Sequence, residues 1–492
     1  MKLRLSRRLS MSALAVLTVA GGSLTWMGMT ADAAPKDAPH GATVLQTNLV
    51  SDLPGAAAVT DPNLVNAWGI SESSGSPFWI SDNNSGLSTL YVASAATPIA
   101  VNPLVVNIPT PVATTGGTPS GTVFNGTPGA FMVTGLNKSG QTASAAAAFL
   151  FDSEDGTITG WNPGIDSTGK FAGAGGASGQ AETAVDNSGN NFTNPDPAKQ
   201  TGAVYKGLAI GTSATPIIPA DAASTALLYA SNFRAGTVDV YDGSWAKAAL
   251  PAGAFTDPSL PRGYAPFGIQ VLSGKVYVTY ARQDASKHDD DAGPHRGFVD
   301  VFNLNGTPAL AHGNARLISG DPLDSPWGQA IAPQGFGGLS APGGDPVLLV
   351  GNFGDGRIHA FDAATGYWLG SVKDPDGEPI QIDKLWALQV GNGGNGGLTT
   401  SVYFTAGPFG EAHGLFGSLS TAAPGSPEGP AEAQWVQANV DVVQLDLQQL
   451  SHDISGGASL ATIDQDNATL KADFAGLQAA QRAFRADARA DG

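Results

Sequence analysis

The chain has 492 residues, a formal charge of −18, no cysteine and only 13% charged residues. An acidic balance of this size excludes nucleic acid and anionic lipid as partners, since both would repel it. The length provides for a core that needs no disulfides, and 65 glycines interspersed with aromatic and β-branched residues fit tightly turned β-structure.

The N-terminus reads as a secretory signal over 1–33. Lys2, Arg4, Arg7 and Arg8 form a basic start, an uncharged stretch follows over 9–30, and Ala31-Asp32-Ala33 fits a small-x-small cleavage site. A Sec-type signal fits better than a twin-arginine one, because Ser10 stands where a large apolar residue is usual. Cleavage removes four cations and one carboxylate (Asp32) and takes the charge to −21. No other segment is apolar enough to span a membrane. The mature chain is expected to be secreted or extracytoplasmic.

From residue 42 to 420 one motif comes round six times. Its purest copies are SNFRAGTVDVYD (231–242) and GNFGDGRIHAFD (351–362), each a strand, a glycine turn and a second strand ending on an aromatic-Asp pair. Upstream of each sits a short apolar strand: YKGLAI from Tyr205 and PWGQAI from Pro326. Related openings occur at AWGI (Ala67), PFGIQV (Pro266) and LWALQV (Leu385). Lys206, Phe267, Trp327 and Trp386 follow one another at 61, 60 and 59 residues. A period of this length with strand patterning predicts an all-β fold, a six-bladed β-propeller of four-stranded blades. The second unit, from PSGTVFNG (119–126) to AAFLFDSEDGTITGWN (147–162), is inflated by a Gly/Ser/Asn-rich stretch over 164–200. That stretch has no apolar periodicity and reads as a surface excursion.

The sixth unit offers three clear strands. ATVLQTNLVSD (42–52) has no partner of its own, so it is predicted to close the ring as the outer strand of blade six and remove an exposed edge. After Ser420 the pattern changes. A Pro/Gly-rich linker (421–432) leads into two apolar stripes at helical spacing over 433–487, broken at Ser455-Gly456-Gly457. These predict a C-terminal α-helical hairpin that packs on itself or the ring, or mediates self-association.

The region from Thr43 to Ser420 resembles a family of exported bacterial propeller proteins of unknown activity. The likeness is carried by TNLVSDLPG (47–55), TDPNLVNAWGI (60–70), FRAGTVDVYD (233–242), YAPFGIQ (264–270), NFGDGRI (352–358), VGNGGNGG (390–397) and YFTAGP (403–408). More distantly the blade pattern is similar to NHL-type propellers and to calcium-dependent gluconolactonase-like enzymes. The family brings no chemistry with it.

Chemistry is expected on the face carrying the loops between second and third strands. Those loops hold Asp82, Asn83, Glu154, Asp155, Asn232, Arg282, Asn352, Asp355, Glu411 and His413, a carboxylate- and amide-rich ring whose oxygens suit Ca²⁺. The same residue types are also what β-turns require. Blade four has the longest loop, ARQDASKHDDDAGPHRG (281–297), with Asp284, His288, Asp289, Asp290, Asp291 and His295. This mixed set reads as a divalent-metal site or as a solvated acidic loop, and Glu154, Asn232 and Asn352 form the alternative metal set. Glu411 and His413 form a second Glu/His pair on blade six and are the candidate catalytic residues, with His413 as general base, although a lone His is more often structural. There is no cysteine nucleophile and no G-x-S-x-G elbow before a helix. Two functions follow. One is a non-catalytic binding or scaffold protein whose loop face takes a glycan, peptide or protein. The other is a Ca²⁺-dependent hydrolase or lactonase with its site at the channel mouth.

Overall fold

The computed structural model describes residues 43–94, 97–166, 177–422 and 469. The predicted signal segment, and the helical tail save Thr469, lie outside the described residues. Strands β1 (Thr43–Ser51) and β2 (Val59–Thr60) precede blade one, which comprises β3 (Ala67–Ser71), β4 (Phe78–Asp82), β5 (Leu87–Ser94) and β6 (Thr97–Asn107). Blade two begins with β7 (Pro119–Phe124). A separate hairpin follows, β8 (Met132–Leu136) and β9 (Thr142–Ala146), before β10 (Phe149–Ser153) and β11 (Thr157–Trp161). Next come β12 (Ala177–Gln180) and β13 (Glu182–Asp186). Blade three is β14 (Tyr205–Thr212), β15 (Ala226–Asn232) and β16 (Thr237–Asp242). Blade four is β17 (Tyr264–Leu272), β18 (Lys275–Arg282), β19 (Phe298–Asn303) and β20 (Arg316–Ser319). Blade five is β21 (Pro326–Ile331), β22 (Val347–Asn352), β23 (Ile358–Asp362) and β24 (Trp368–Ser371). Blade six is β25 (Leu385–Val390), β26 (Ser401–Ala406) and β27 (Leu415–Ala422).

These six sheets form a propeller. The inner strands β3, β7, β14, β17, β21 and β25 touch in that cyclic order, and β25 returns to β3. The approach is close enough to dictate glycine. A Cβ on Gly268 would stand 2.1 Å from the Trp327 carbonyl oxygen, and one on Gly121 would stand 2.2 Å from the Leu208 nitrogen. Each seam between blades carries its own buried apolar cluster. Tyr205, Leu208 and Leu228 of blade three meet Leu150 and Ile158 of blade two, for example. The core is therefore a ring of seams, filled by the inward face of each period-two strand.

β1 runs antiparallel along β27, from Thr43 opposite Ala422 to Ser51 opposite Leu415, with one bulge between Asn48 and Val50. At the same seam Asn392 donates to the carbonyls of Ser73 (2.7 Å) and Ser76 (3.0 Å), so the VGNGGNGG loop ties blade six to blade one.

The stretch over 164–200 differs from the expected surface excursion. It supplies β12, which adds in parallel to β6 of blade one, and β13, the outer strand of blade two. Its sequence shows no clear period because these strands are only four and five residues long and β13 has no fully buried position to demand an apolar side chain. The β8–β9 hairpin has no counterpart in the repeat. Phe131 beside it packs edge-on against Trp245 at 5.0 Å, and Trp245 donates to the Met132 carbonyl (2.8 Å), which covers the edge of three-stranded blade three.

Candidate functional site at the channel mouth

One backbone hydrogen bond recurs in all six blades. The residue following the second strand donates its N–H to the carbonyl of the residue just before the inner strand. The pairs are Asn83 to Asn66, Glu154 to Thr118, Phe233 to Val204, Gln283 to Gly263, Phe353 to Ser325 and Gly407 to Lys384, at 2.7–3.1 Å. These residues surround one end of the axis. Four of the acceptors are held in the left-handed region: Gly263, and the non-glycine residues Asn66 at φ 51°, Ser325 at 45° and Lys384 at 52°. Non-glycine residues sit there at a cost of about 1 kcal/mol or more each, a strain that collects at functional sites.

Near the start of each inner strand is a second ring: Trp68, Ser120, Lys206, Trp327 and Trp386 are second residues of their strands, and Phe267 is the fourth of β17. Trp386 is the hub. It stacks on Trp68 (3.6 Å between ring centroids) and on Phe353 (4.0 Å), and meets Trp327 and Phe267 at 6.0 and 5.9 Å. Its indole N–H donates to Asn66 Oδ1 (2.9 Å). The channel beyond narrows to a cavity of about 10 Å³, room for a single water.

Lys206 is the one cation in this ring, and its side chain is only 3% exposed. Its ammonium bonds Glu154 Oε1 and Asp289 Oδ1, the latter at 3.0 Å, and lies 5.2 Å from the Trp68 ring centroid. Burial alone would lower its pKa. Glu154 and Asp289 outweigh that and raise it, so Lys206 stays charged. Burial likewise pushes Asp289 up, but Lys206 and His288 hold it well below the usual carboxylate range. Asn83 donates to the other oxygen of Glu154 (2.9 Å).

Glu411 completes the group. It accepts from Asn66 Nδ2 (3.1 Å), and its backbone carbonyl accepts from Asn84 (2.6 Å). Burial raises its pKa to about 7, helped by Glu154 and Asp289 and opposed by Lys206 and Lys384. Asp290 is raised by burial as well, and Ser325, Lys206 and Lys384 only partly oppose that.

The blade-four loop divides its residues between architecture and site. Asp284 caps its own turn, accepting from His288 N–H (3.0 Å) and Ser286 Oγ (2.6 Å). Asp291 pairs with Arg296 (2.6 Å) and Arg282 (3.4 Å). His295 faces Asp321 at 3.4 Å, both well exposed. His288, Asp289 and Asp290 remain at the mouth. Donor atoms of Glu154, His288 and Asp289 all lie within 4.8 Å of one another.

Among the other predicted residues, Asn232 holds Asp239 (3.0 Å) and the Ala235 N–H. Asn352 holds Asp355 and the Pro322 carbonyl, each at 3.0 Å. Asp155 accepts from Thr157 N–H and Oγ1 within its turn. Asp82 is fully buried, and burial keeps its pKa well above the usual range although Thr89 partly opposes it. His413 turns away from Glu411 to Asp52 (2.7 Å), so the two do not form an acid–base pair. Sequence reasoning passed over Lys206, Asn66 and Lys384. Lys206 had a signal: it fills a position that is aromatic in four of the other five inner strands.

The fold and its mouth define a six-bladed β-propeller. The sequence matches no family profile. It is 30% identical over 347 residues to an uncharacterized protein of Acanthamoeba polyphaga mimivirus, covering 69% of this chain and 72% of that one. A second uncharacterized mimivirus protein is 27% identical over 376 residues, 75% of this chain and 84% of that one. The chain belongs to the family of these mimivirus proteins. Among solved structures it is similar to a streptogramin B lyase (12% identity, TM-score 0.33, 79% of this chain and all of that one). It is also similar to a glucose dehydrogenase (11%, 0.39, 77% of this chain and all of that one). An auxiliary nutrient binding protein from Bacteroides thetaiotaomicron gives 8% and 0.35, over 78% of this chain and 77% of that one. Likenesses this low assign no activity.

Proposed function

We propose that this is an exported, non-catalytic binding protein whose loop face takes a basic group of a peptide or protein. One observation carries the reading: carboxylates outnumber cations at the mouth. Glu154, Asp289, Asp290, Asp324 and Glu411 gather near Lys206 and Lys384, and among the described residues no cation contacts Glu411 directly. The blade-four loop forms a fixed wall there, tied by Asp289 to Lys206 and by the Gly293 N–H to Asp324 (2.6 Å). An ammonium or guanidinium group seated against Glu411 and Asp290 would offset their repulsion and lower their pKa values.

Fluorescence anisotropy with a labelled hexa-arginine peptide tests this. Binding should weaken with salt and strengthen as pH rises through about 7, where Glu411 ionises. Glu411→Gln should weaken it roughly two- to fivefold, the worth of one partly screened charge. Equal affinity for a neutral peptide of the same length would sink the reading. Export is read from residues 1–33 and predicts a mature protein beginning at Ala34, which intact mass of the secreted product checks.

A second reading, a divalent-metal-dependent hydrolase or lactonase, is favoured by the clustering of Glu154, His288 and Asp289. Metal titration of wild type and Lys206 variants tests whether that cluster takes an ion at all.

A further inference from the structure

We propose that Lys206 is a built-in cation. Its ammonium fills the place from which a divalent transition-metal ion would draw Glu154, His288 and Asp289, so the mouth contains a latent metal site that this lysine keeps closed. The latent site stands whether or not the face takes a basic peptide.

The geometry is that of a cation in its ligand set. Donor atoms from two carboxylates and one imidazole lie within 4.8 Å of one another. Lys206 Nζ is already bonded to both carboxylates, and His288 Nδ1 lies 2.9 Å from the same Asp289 oxygen that accepts from Lys206. The donors come from blade two and the blade-four loop, and Lys206 reaches them from blade three between. Such a mixed oxygen and nitrogen set suits Mn²⁺, Co²⁺ or Zn²⁺ better than Ca²⁺, which prefers oxygen alone.

Lys206 is not a surface lysine that happens to lie nearby. Its side chain is 3% exposed, its backbone carbonyl is held by the Trp327 indole (2.7 Å), and Trp68 stands beside its ammonium. It has no room to swing into solvent and release the carboxylates. Without its charge, Glu154, Asp289 and Glu411 would be left together in a partly desolvated pocket. That pocket would have to take up protons or a cation.

The test is Lys206→Met, titrated calorimetrically with Mn²⁺ and Zn²⁺ beside the wild type and Lys206→Arg. The expected result is one ion per chain, at least about tenfold tighter in Lys206→Met than in the wild type, with no gain in Lys206→Arg. The gain should vanish when Glu154→Gln is added. Equal affinities in wild type and Lys206→Met, or a gain that survives Glu154→Gln, overturn the proposal. Should Lys206→Met fail to fold in metal-free buffer, refolding is repeated with millimolar Mn²⁺. Recovery of a cooperative melt supports the latent site, since an ion bound only by the folded state stabilises it. Failure in both buffers overturns it.

Discussion

Replacing Trp386 by alanine is expected to cost about 3–5 kcal/mol of stability, the range for deleting a buried Trp or Phe side chain. Trp386 is 1% exposed and touches aromatic residues from blades one, four and five: Trp68, Phe267, Trp327 and Phe353. Its removal opens a void at the axis, where six rigid inner strands meet and none can collapse inward without breaking its own sheet. Asn66 Oδ1 also loses its donor, and the Asn66 amide is what holds Glu411. The damage should therefore reach the mouth as well as the core. Trp386→Phe separates the two effects. It keeps most of the stacking area and loses the indole N–H, so it should cost only about 1–2 kcal/mol while still loosening Asn66. Equilibrium denaturation reads both variants. A Trp386→Ala protein within about 1 kcal/mol of wild type would show that the axis repacks freely, against a close-packed ring of inner strands.

Much of the propeller was legible because its constraints are local. The apolar openings of the inner strands recur at 59–61 residues from blade three to blade six, and the glycine turn of SNFRAG returns two blades on in GNFGDG, because each blade solves the same problem. Legibility failed where a blade departs from the rule. The turn of blade two is a residue shorter, its Gly156 N–H bonding Ser153 where Gly236 and Gly356 bond Asn232 and Asn352, and its outer strand lies beyond a long insertion. The site was legible as a face but not as a constellation. Lys206 stands 52 residues from Glu154 and 83 from Asp289, and only the ring brings them together. In the blade-four loop the sequence cannot say which acids face the mouth. That depends on Asp284 capping the turn and Asp291 turning back to Arg282 and Arg296.

A second large effect is expected from pH, and Glu72 is its clearest source. Glu72 follows β3 at the far end of the channel from Lys206. One of its oxygens accepts from Gln389 (3.0 Å), whose own amide oxygen accepts from Gln270 (3.3 Å), so blades one, six and four are linked across the channel. The other oxygen is buried without a partner. Burial raises the pKa from 4.5 to about 8, and the Gln389 hydrogen bond only partly opposes it. The folded state thus prefers the protonated acid, while an unfolded glutamate ionises near 4.5. The associated stability is fully present below about pH 4.5, falls as pH rises towards 8, and changes no further above that. Asp152 and Glu411, both raised by burial to about 7, and Asp155 and Asp300, both raised to about 6, act in the same direction. The melting temperature should therefore be higher at pH 5 than at pH 8.5. Glu72→Gln keeps the shape and an acceptor for Gln389 but cannot ionise. It should match wild type at pH 5 and exceed it at pH 8.5 by on the order of 2 kcal/mol. That is less than the ceiling of about 1.4 kcal/mol for each tenfold change in proton affinity, because the side chain is not wholly buried. Melts of both proteins across pH 5–8.5 decide the point. If the two curves run parallel throughout, Glu72 is ionised at neutral pH and the channel end is wetter than its burial implies.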